Sequence, residues 1–331
     1  MRNKIPKILI IGCAGYIGRQ IVNLLTKQKK YEICVLDNLS TTKKNYLKKN
    51  IIFSKINILN KKKLNNYFSS NKFESVIHLA AKCIVSEGEK YKNKYFTNNI
   101  LGTQNILDCC KKNKVTNFIF SSSCAVFANK NKIVSENSQK KPISFYGKTK
   151  LTCEKMIKKE FNNTNIKFII LRYFNVVGAD IKNKIGEFHS KDRLFNNFSK
   201  EIIKNKKMHI YGNDYKTKDG TCVRDYMHVY DLANIHIICL KKFHSINKSL
   251  YLNCSYGKGY SVLDVAKNFQ KLIKNKIKIV FKKRRKGDME EIVASNIKLY
   301  KSIKWKPKYN NIKKMVLSAY SWNKYIFNNA I

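Results

Sequence analysis

Gly12, Gly15 and Gly18 constrain this chain more than any other feature. They stand in the run Gly12-Cys13-Ala14-Gly15-Tyr16-Ile17-Gly18, directly after an Ile- and Leu-rich segment over residues 7–11. A short apolar run of that kind suits a strand buried on both faces of a parallel sheet. Beyond the glycines, Ile17, Ile21, Leu24 and Leu25 share one face of a helix over 15–27. Strand, glycine turn and helix together let the backbone approach a pyrophosphate, whose charge sits on the helix N-terminus. The spacing is G-x-x-G-x-x-G. Asp37 ends the next strand-like run, over 33–36, and lies 19 residues after Gly18. A carboxylate there bonds a ribose 2′-hydroxyl and repels a 2′-phosphate, which points to NAD rather than NADP.

The same alternation continues. Residues 51–56, 76–79, 118–121 and 167–173 read as further strands, and 98–110 and 145–161 as helices. Strands alternating with helices imply right-handed crossovers and an α/β fold, a Rossmann-type doubly wound parallel sheet. After Asn175 the rhythm becomes irregular and polar. Helices are expected over 231–240, 261–273 (with Ser261 as N-cap) and 312–327, and a strand over 250–253. The expected division is an NAD-binding domain over 1–175, with a return segment at about 225–255. A smaller, interleaved C-terminal substrate-binding domain then occupies 176–331.

Tyr146-Gly147-Lys148-Thr149-Lys150 is the second constellation. Tyr146 and Lys150 share a face of the helix predicted over 145–161. Lowering a tyrosine pKa from about 10 by about three units takes roughly 4 kcal/mol, which a lysine ammonium and a nicotinium ring nearby can supply. Ser121-Ser122-Ser123 ends the fifth strand, where a serine can bridge a substrate hydroxyl and the tyrosine.

The chain has 331 residues, 67 Lys and Arg against 21 Asp and Glu, and a formal net charge of +46. The lysines are spread along the whole chain among Asn and Ile, three residue types with A/T-rich codons, so composition bias accounts for the charge better than a nucleic-acid-binding arm would. Anionic substrates are still attracted. None of the ten cysteines forms a zinc spacing and no H-E-x-x-H occurs, so no metal site is expected. Scattered cysteines read as small buried side chains in a reducing compartment. No apolar run is long enough for a membrane span, and residues 1–7 offer no signal peptide, which together suggest a cytoplasmic protein.

These residues place the chain, by resemblance, in the extended short-chain dehydrogenase/reductase superfamily, and nearly its whole length resembles the UDP-glucose 4-epimerase family. The matching stretches are Gly12 to Gly18, Asp37-Asn38-Leu39, His78-Leu79-Ala80-Ala81, Asn98-Asn99 with Gly102-Thr103, the strand at 118–123, Tyr146 to Lys150, and Leu171-Arg172-Tyr173-Phe174-Asn175. In the second half Tyr211-Gly212-Asn213-Asp214-Tyr215, Asp219-Gly220-Thr221, Val223-Arg224-Asp225-Tyr226 and Arg284-Arg285-Lys286-Gly287-Asp288 also match. The resemblance implies interconversion of UDP-galactose and UDP-glucose. Tyr146 takes the sugar 4-hydroxyl proton while the C4 hydride passes to NAD, and the 4-keto sugar turns over before both return on the opposite face. Ser123 relays or orients, and Lys150 holds the nicotinamide ribose.

The resemblance further assigns Tyr16, Ile17, Asn38, Asn57, Ile58, Leu79, Ala80, Lys82, Asn98 and Phe174 to the cofactor, beside the glycines and Asp37. It assigns Arg224 and Arg285 to the diphosphate, a task that suits guanidinium geometry. Asn175 falls to the sugar or phosphate, Tyr211 to the uracil, Asp288 to a ribose hydroxyl, and Arg193 and Leu194 to the neighbourhood of the uridine. A homodimer through 98–112 and 144–159 is expected.

Departures from the family pattern are Asn57 for an Asp, Ala125, Phe127 and Ala128 for Thr, Tyr and Gly, Lys82 one place early with Cys83 following, and Gly88 after Glu87. Ile292, of intermediate size, leaves open an N-acetylated pair such as UDP-N-acetylglucosamine. A dehydratase or decarboxylase is the other enzyme reading. A dehydratase would carry Asp-Glu after the strand-five hydroxyl, where this chain has Cys124-Ala125. The intact Ser123, Tyr146 and Lys150 argue against a purely nucleic-acid-binding protein.

Overall fold

A computed structural model describes residues 5–42, 51–127, 133–182, 184–188, 193–274, 277–285 and 288–329. Ala128, Lys286 and Gly287, which the sequence motifs include, lie outside the described residues.

In chain order the strands are β1 (Lys7–Ile11), β2 (Glu32–Asp37), β3 (Ile52–Lys55), β4 (Ser75–His78), β5 (Asn117–Ser123), β6 (Ile133–Val134), β7 (Lys167–Tyr173), β8 (Asn175–Val177), β9 (Met208–Tyr211), β10 (Val223–His228), β11 (Leu250–Cys254), β12 (Gly259–Ser261), β13 (Ile279–Lys282) and β14 (Glu291–Ala294). The helices are α1 (Tyr16–Thr26), α2 (Lys61–Asn71), α3 (Val85–Lys90), α4 (Lys92–Tyr95), α5 (Gly102–Lys112), α6 (Phe145–Phe161), α7 (Leu194–Ile203), α8 (Val229–Lys242), α9 (Val262–Ile273), α10 (Ile297–Ile303) and α11 (Ile312–Asn328). A π-helical segment, Phe96–Leu101, leads into α5, and a 3-10 turn, Cys124–Val126, follows β5.

The chain forms two compact units. The first holds Met1–Ala128, Gln139–Tyr173 and Ala233–Leu252; the second holds Asn129–Ser138, Phe174–Leu232 and Asn253–Ile331. The main sheet has seven strands in the order β11-β7-β5-β4-β1-β2-β3. Its strands are Ile-, Val-, Leu- and Phe-rich because both faces are covered: Leu9, Ile11, Val76, Phe118, Phe120 and Ile170 share a core with Leu107, Ile157 and Phe161 from the helices, and Ile8, Ile10, Ile77, Ile119 and Ile169 are buried on the other face. The strand order reverses at β1, so the crevice beyond the carboxyl ends of β1 and β4 is the place where such sheets bind ligands. The Rossmann-type doubly wound sheet expected from the sequence is the one observed.

In the second unit β12, β10, β14 and β6 form one sheet path, with β8 beside β10, and β13 pairs in parallel with β9. Helix α9 starts where expected. Ser261 accepts from the Asp264 N–H at 2.9 Å and the Asp264 carboxylate accepts from the Ser261 N–H at 3.3 Å, a reciprocal capping box. Eight of the ten cysteines are buried; Cys124 is half-buried and Cys83 exposed. Among the described residues no group of His, Cys, Asp and Glu could hold a metal ion, and no helix is long and apolar enough to cross a membrane.

Candidate active site

Gly12 follows β1 with φ +87°, a conformation that strains any L side chain. A Cβ there would lie 2.6 Å from the Ala80 nitrogen. The Leu79 and Ala80 N–H groups both donate to the Ile11 carbonyl, at 2.8 and 3.1 Å, which draws the turn after β4 against the glycine loop. At Gly18 a Cβ would lie 2.4 Å from the Gly12 oxygen. At Gly15 it would meet only that oxygen, at 3.4 Å, so the chain itself leaves room there. Gly15 is the N-cap of α1, offers no side-chain cap, and no acidic residue follows in the first turn. The helix N-terminus therefore carries no side-chain cap or acid that would compete with an anion. A cradle that a side chain would fill, at an uncapped helix end, fits a dinucleotide pyrophosphate. Tyr16 and Ile17 are half-buried in that first turn.

Asp37 Oδ2 accepts from the Ala14 N–H at 3.0 Å and Oδ1 from the Leu39 N–H at 2.8 Å. The carboxylate thus braces the glycine loop while ending β2, and burial pushes its pKa above the ordinary value. Asn38 turns inward on its own loop, bonding the Ser40 N–H at 3.0 Å. Asn57 is exposed and accepts from the Leu59 N–H, and Ile58 is buried against Gly102, where a Cβ would meet its Cδ1 at 2.5 Å.

The π-helical segment carries Asn98 and Asn99. Asn99 Oδ1 accepts from the Lys82 N–H at 2.8 Å and from Asn98 Nδ2 at 3.0 Å. Its Nδ2 donates to the Lys82 carbonyl at 3.0 Å and to the Thr149 hydroxyl at 3.2 Å. Asn99 therefore ties the Lys82 loop to α6. It stands beside Asn98 in the sequence motif, and that adjacency was the only available signal for it.

Helix α6 is N-capped by Ser144, whose hydroxyl accepts from the Gly147 N–H at 3.1 Å. Gly147 matters for proximity: a Cβ there would lie 2.2 Å from the Ala125 carbonyl oxygen. The absence of a side chain lets the first turn of α6, with Tyr146, lie against the turn that follows Ser123. One turn on, the buried Lys150 ammonium donates to the Ser121 carbonyl at 2.7 Å and lies 4.8 Å from the centre of the Phe120 ring. Burial pulls its pKa below the ordinary lysine value, with nearby Cys153, Cys83 and Glu154 acting against that shift. Tyr146 is 8% exposed and Ser123 half-buried, its hydroxyl accepting from the Ala125 N–H at 3.2 Å. Gly88, a departure from the family pattern, is buried against Tyr95 and Tyr146. Phe127, another, lies 5.2 Å from the buried guanidinium of Arg172, so its ring faces a cation.

In the second unit the strand register groups the residues assigned to substrate. Arg224 of β10 pairs with Ile292 of β14, and Tyr226, two residues on, pairs with Asn175 of β8. Arg224 Nη1 donates to the Val223 carbonyl at 2.9 Å. Ile292 is buried, 2% exposed. Because β13 pairs with β9, Tyr211 lies beside Lys282, and the Arg285 guanidinium sits 4.0 Å from the centre of the Tyr211 ring. Asp288 is exposed, with its N–H on the Arg285 carbonyl at 3.3 Å. Arg193 N-caps α7 ahead of Leu194 and pairs with Glu187 at 3.2 Å. Phe174 is buried. Asp225, part of a matching stretch but given no role there, accepts from the Tyr256, Gly257 and Ala294 N–H groups at 3.2, 3.0 and 3.4 Å. It thereby holds β14 against β10, and burial raises its pKa to about 7.

Residues 8–254 match the NAD dependent epimerase/dehydratase family. The chain is 35% identical over 321 residues to UDP-glucose 4-epimerase of Lactobacillus helveticus, covering 96% of this chain and 97% of that one. A crystal structure of UDP-glucose 4-epimerase from Brucella ovis in complex with NAD superposes with a TM-score of 0.89 at 31% identity, covering 96% of this chain and 98% of the other. The UDP-Glc/GlcNAc 4-epimerase from Campylobacter jejuni superposes with a TM-score of 0.83 at 34% identity, covering 97% and 99%.

Proposed function

This chain belongs to the NAD dependent epimerase/dehydratase family, and we propose that it is an isomerase that interconverts UDP-galactose and UDP-glucose. The observation that carries the reading is the Lys150 ammonium fixed on the Ser121 carbonyl, one turn below Tyr146 on a helix that Gly147 lets approach the end of β5. When bound, NAD supplies a reversible acceptor for the C4 hydride. Gly15 and the first turn of α1 would hold its pyrophosphate, Asp37 a ribose, and Lys150 the nicotinamide ribose. Tyr146 removes the proton of the sugar 4-hydroxyl and later returns it, with Lys150 favouring the phenolate electrostatically. Ser123 orients the hydroxyl. We assign Arg224 and Arg285 to the diphosphate, Tyr211 to the uracil, Asp288 to a ribose hydroxyl, Asn175 to the sugar or phosphate, and Arg193 and Leu194 to the uridine side.

Denatured protein should release NAD, and native protein should interconvert the two UDP-sugars without added reductant. Activity absent from NAD-loaded protein would overturn the substrate assignment. Tyr146→Phe should lower kcat by about three orders of magnitude with the fold intact; near-normal turnover would overturn the role given to Tyr146. Running the N-acetylated pair alongside reads the sugar edge at Ile292, since the Campylobacter jejuni relative is named for both sugars. We also assign a homodimer through 98–112 and 144–159: Phe96 beside that surface and Leu101 within it, each 45% exposed, are large apolar groups in water. Sedimentation at monomer mass would overturn it.

A further inference from the structure

Besides Lys150, helix α6 bonds the sheet through a buried carboxylate. Glu154, one turn beyond Lys150, is buried, and so is Arg172 of β7. Glu154 Oε1 accepts from the Ser122 hydroxyl at 2.6 Å and from Arg172 Nε at 3.0 Å, and Oε2 accepts from Arg172 Nη2 at 2.8 Å. Ser122 and Arg172 are register partners on β5 and β7. The guanidinium is flanked by Phe127 and Tyr251, whose ring centres lie 5.2 and 5.3 Å away. Lys150 is held by Ser121, Glu154 by Ser122, and Ser123 is the next residue of the same strand.

We propose that Glu154, paired with Arg172, is a positioning residue for the Ser123, Tyr146 and Lys150 set. It fixes the rotation and height of α6 over the carboxyl end of β5, and the proposal rests on the function argued above. A carboxylate accepting a forked guanidinium and a hydroxyl imposes direction as well as attraction. Apolar packing of Cys153, Ile157 and Phe161 sets which face of α6 is buried, whereas a directional bond fixes its height and fine rotation; a buried ion pair is often no more stabilising than apolar side chains of the same volume. Stability alone therefore gives no reason for two buried charges here. Geometry does, because a displacement of about 1 Å at a reacting group can cost about a hundredfold in rate.

Glu154→Gln alone leaves the Arg172 guanidinium facing an amide N–H and threatens the fold. The informative variants are Ser122→Ala and the double change Glu154→Gln with Arg172→Gln, in which two neutral amides face each other. Both should bind NAD and keep KM for UDP-galactose within about twofold, while kcat falls about tenfold in Ser122→Ala and about a hundredfold in the double variant. A folded, NAD-loaded double variant with parental kcat overturns the proposal. If the double variant does not fold, parental kcat in Ser122→Ala does so. Should the parent itself not epimerise, the function fails first, and hydrogen exchange still decides the positioning role. Amides of residues 146–150 should then exchange at least about tenfold faster in Ser122→Ala than in the parent; equal exchange overturns it.

Discussion

At Gly18 an added methyl would press on the Gly12 carbonyl at 2.4 Å, whereas at Gly15 it would touch that oxygen at 3.4 Å and nothing else of the chain. Gly18→Ala should therefore cost about 3 kcal/mol through overpacking of the backbone. Gly15→Ala should leave stability within about 1 kcal/mol of the parent yet release NAD readily, because the space it fills is the ligand's. Thermal unfolding and the NAD content of purified protein check both. Equal retention of NAD in Gly15→Ala would remove the pyrophosphate from that helix end. In the sequence the three glycines look alike, since spacing carries no information about which of them faces its own chain. His78 makes a second case. Its Nε2 lies 2.9 Å from the Thr103 hydroxyl, which donates to the Asn99 carbonyl at 2.5 Å, so Nε2 is the donor and Nδ1 is left bare in the core. Burial, then the Lys150 charge, push its pKa down to about 3. The unfolded chain takes up the proton near pH 6.5 and the folded chain does not, so stability is full above that pH and falls as pH drops through it. The slope is about 1.4 kcal/mol per pH unit. Urea-derived stabilities at pH 7, 6 and 5 should fall with pH more steeply in the parent than in His78→Gln, by about 1.4 kcal/mol per pH unit; parallel slopes would refute it.

The helices divide by how openly their periodicity is written. Residues 145–161 read as a helix and α6 spans Phe145–Phe161, because the Ser144 cap and the buried face that includes Tyr146, Lys150, Cys153 and Ile157 lie in the local pattern. Residues 98–110 read as one helix, but the chain passes through a π segment to Leu101 before α5 begins. Side-chain demands decide that: Asn99 must reach both Lys82 and Thr149, contacts remote in sequence. α2 was not legible because it buries only Leu64 and Phe68 in a Lys- and Asn-rich stretch. The spacing of Tyr146 and Lys150, i and i+4, was legible; the contacts of Asn99, Glu154 and Gly147 were not, since each acts on a partner from another element. Gly147 offers the direct test. Alanine is a better helix former, and in an isolated helix the change would stabilise by about 1 kcal/mol. Here the methyl would push α6 off the Ala125 carbonyl, so Gly147→Ala should lose stability and lower kcat at least about tenfold. Gained stability with parental kcat would show that the close approach is dispensable.

Across the whole molecule the +46 charge acts on folding and on binding in opposite directions. So large an excess of one sign repels itself in the compact state and attracts an anionic UDP-sugar from a distance. Both effects run through water between exposed lysines, and both shrink as the screening length falls from about 30 Å at 0.01 M salt to about 10 Å at 0.1 M. The chemistry proposed for Tyr146 and Lys150 involves buried groups, where salt screens little. Raising sodium chloride from about 10 to about 300 mM should therefore raise the unfolding temperature, raise KM for UDP-galactose several-fold, and leave kcat nearly unchanged. Thermal scans and steady-state kinetics on one preparation read all three. A fall in the unfolding temperature would mean that local ion pairs such as Lys7–Glu32 outweigh the general repulsion. A constant KM would mean that the substrate meets only fixed contacts such as the proposed arginines, and that the surface charge is a matter of composition with no part in recognition.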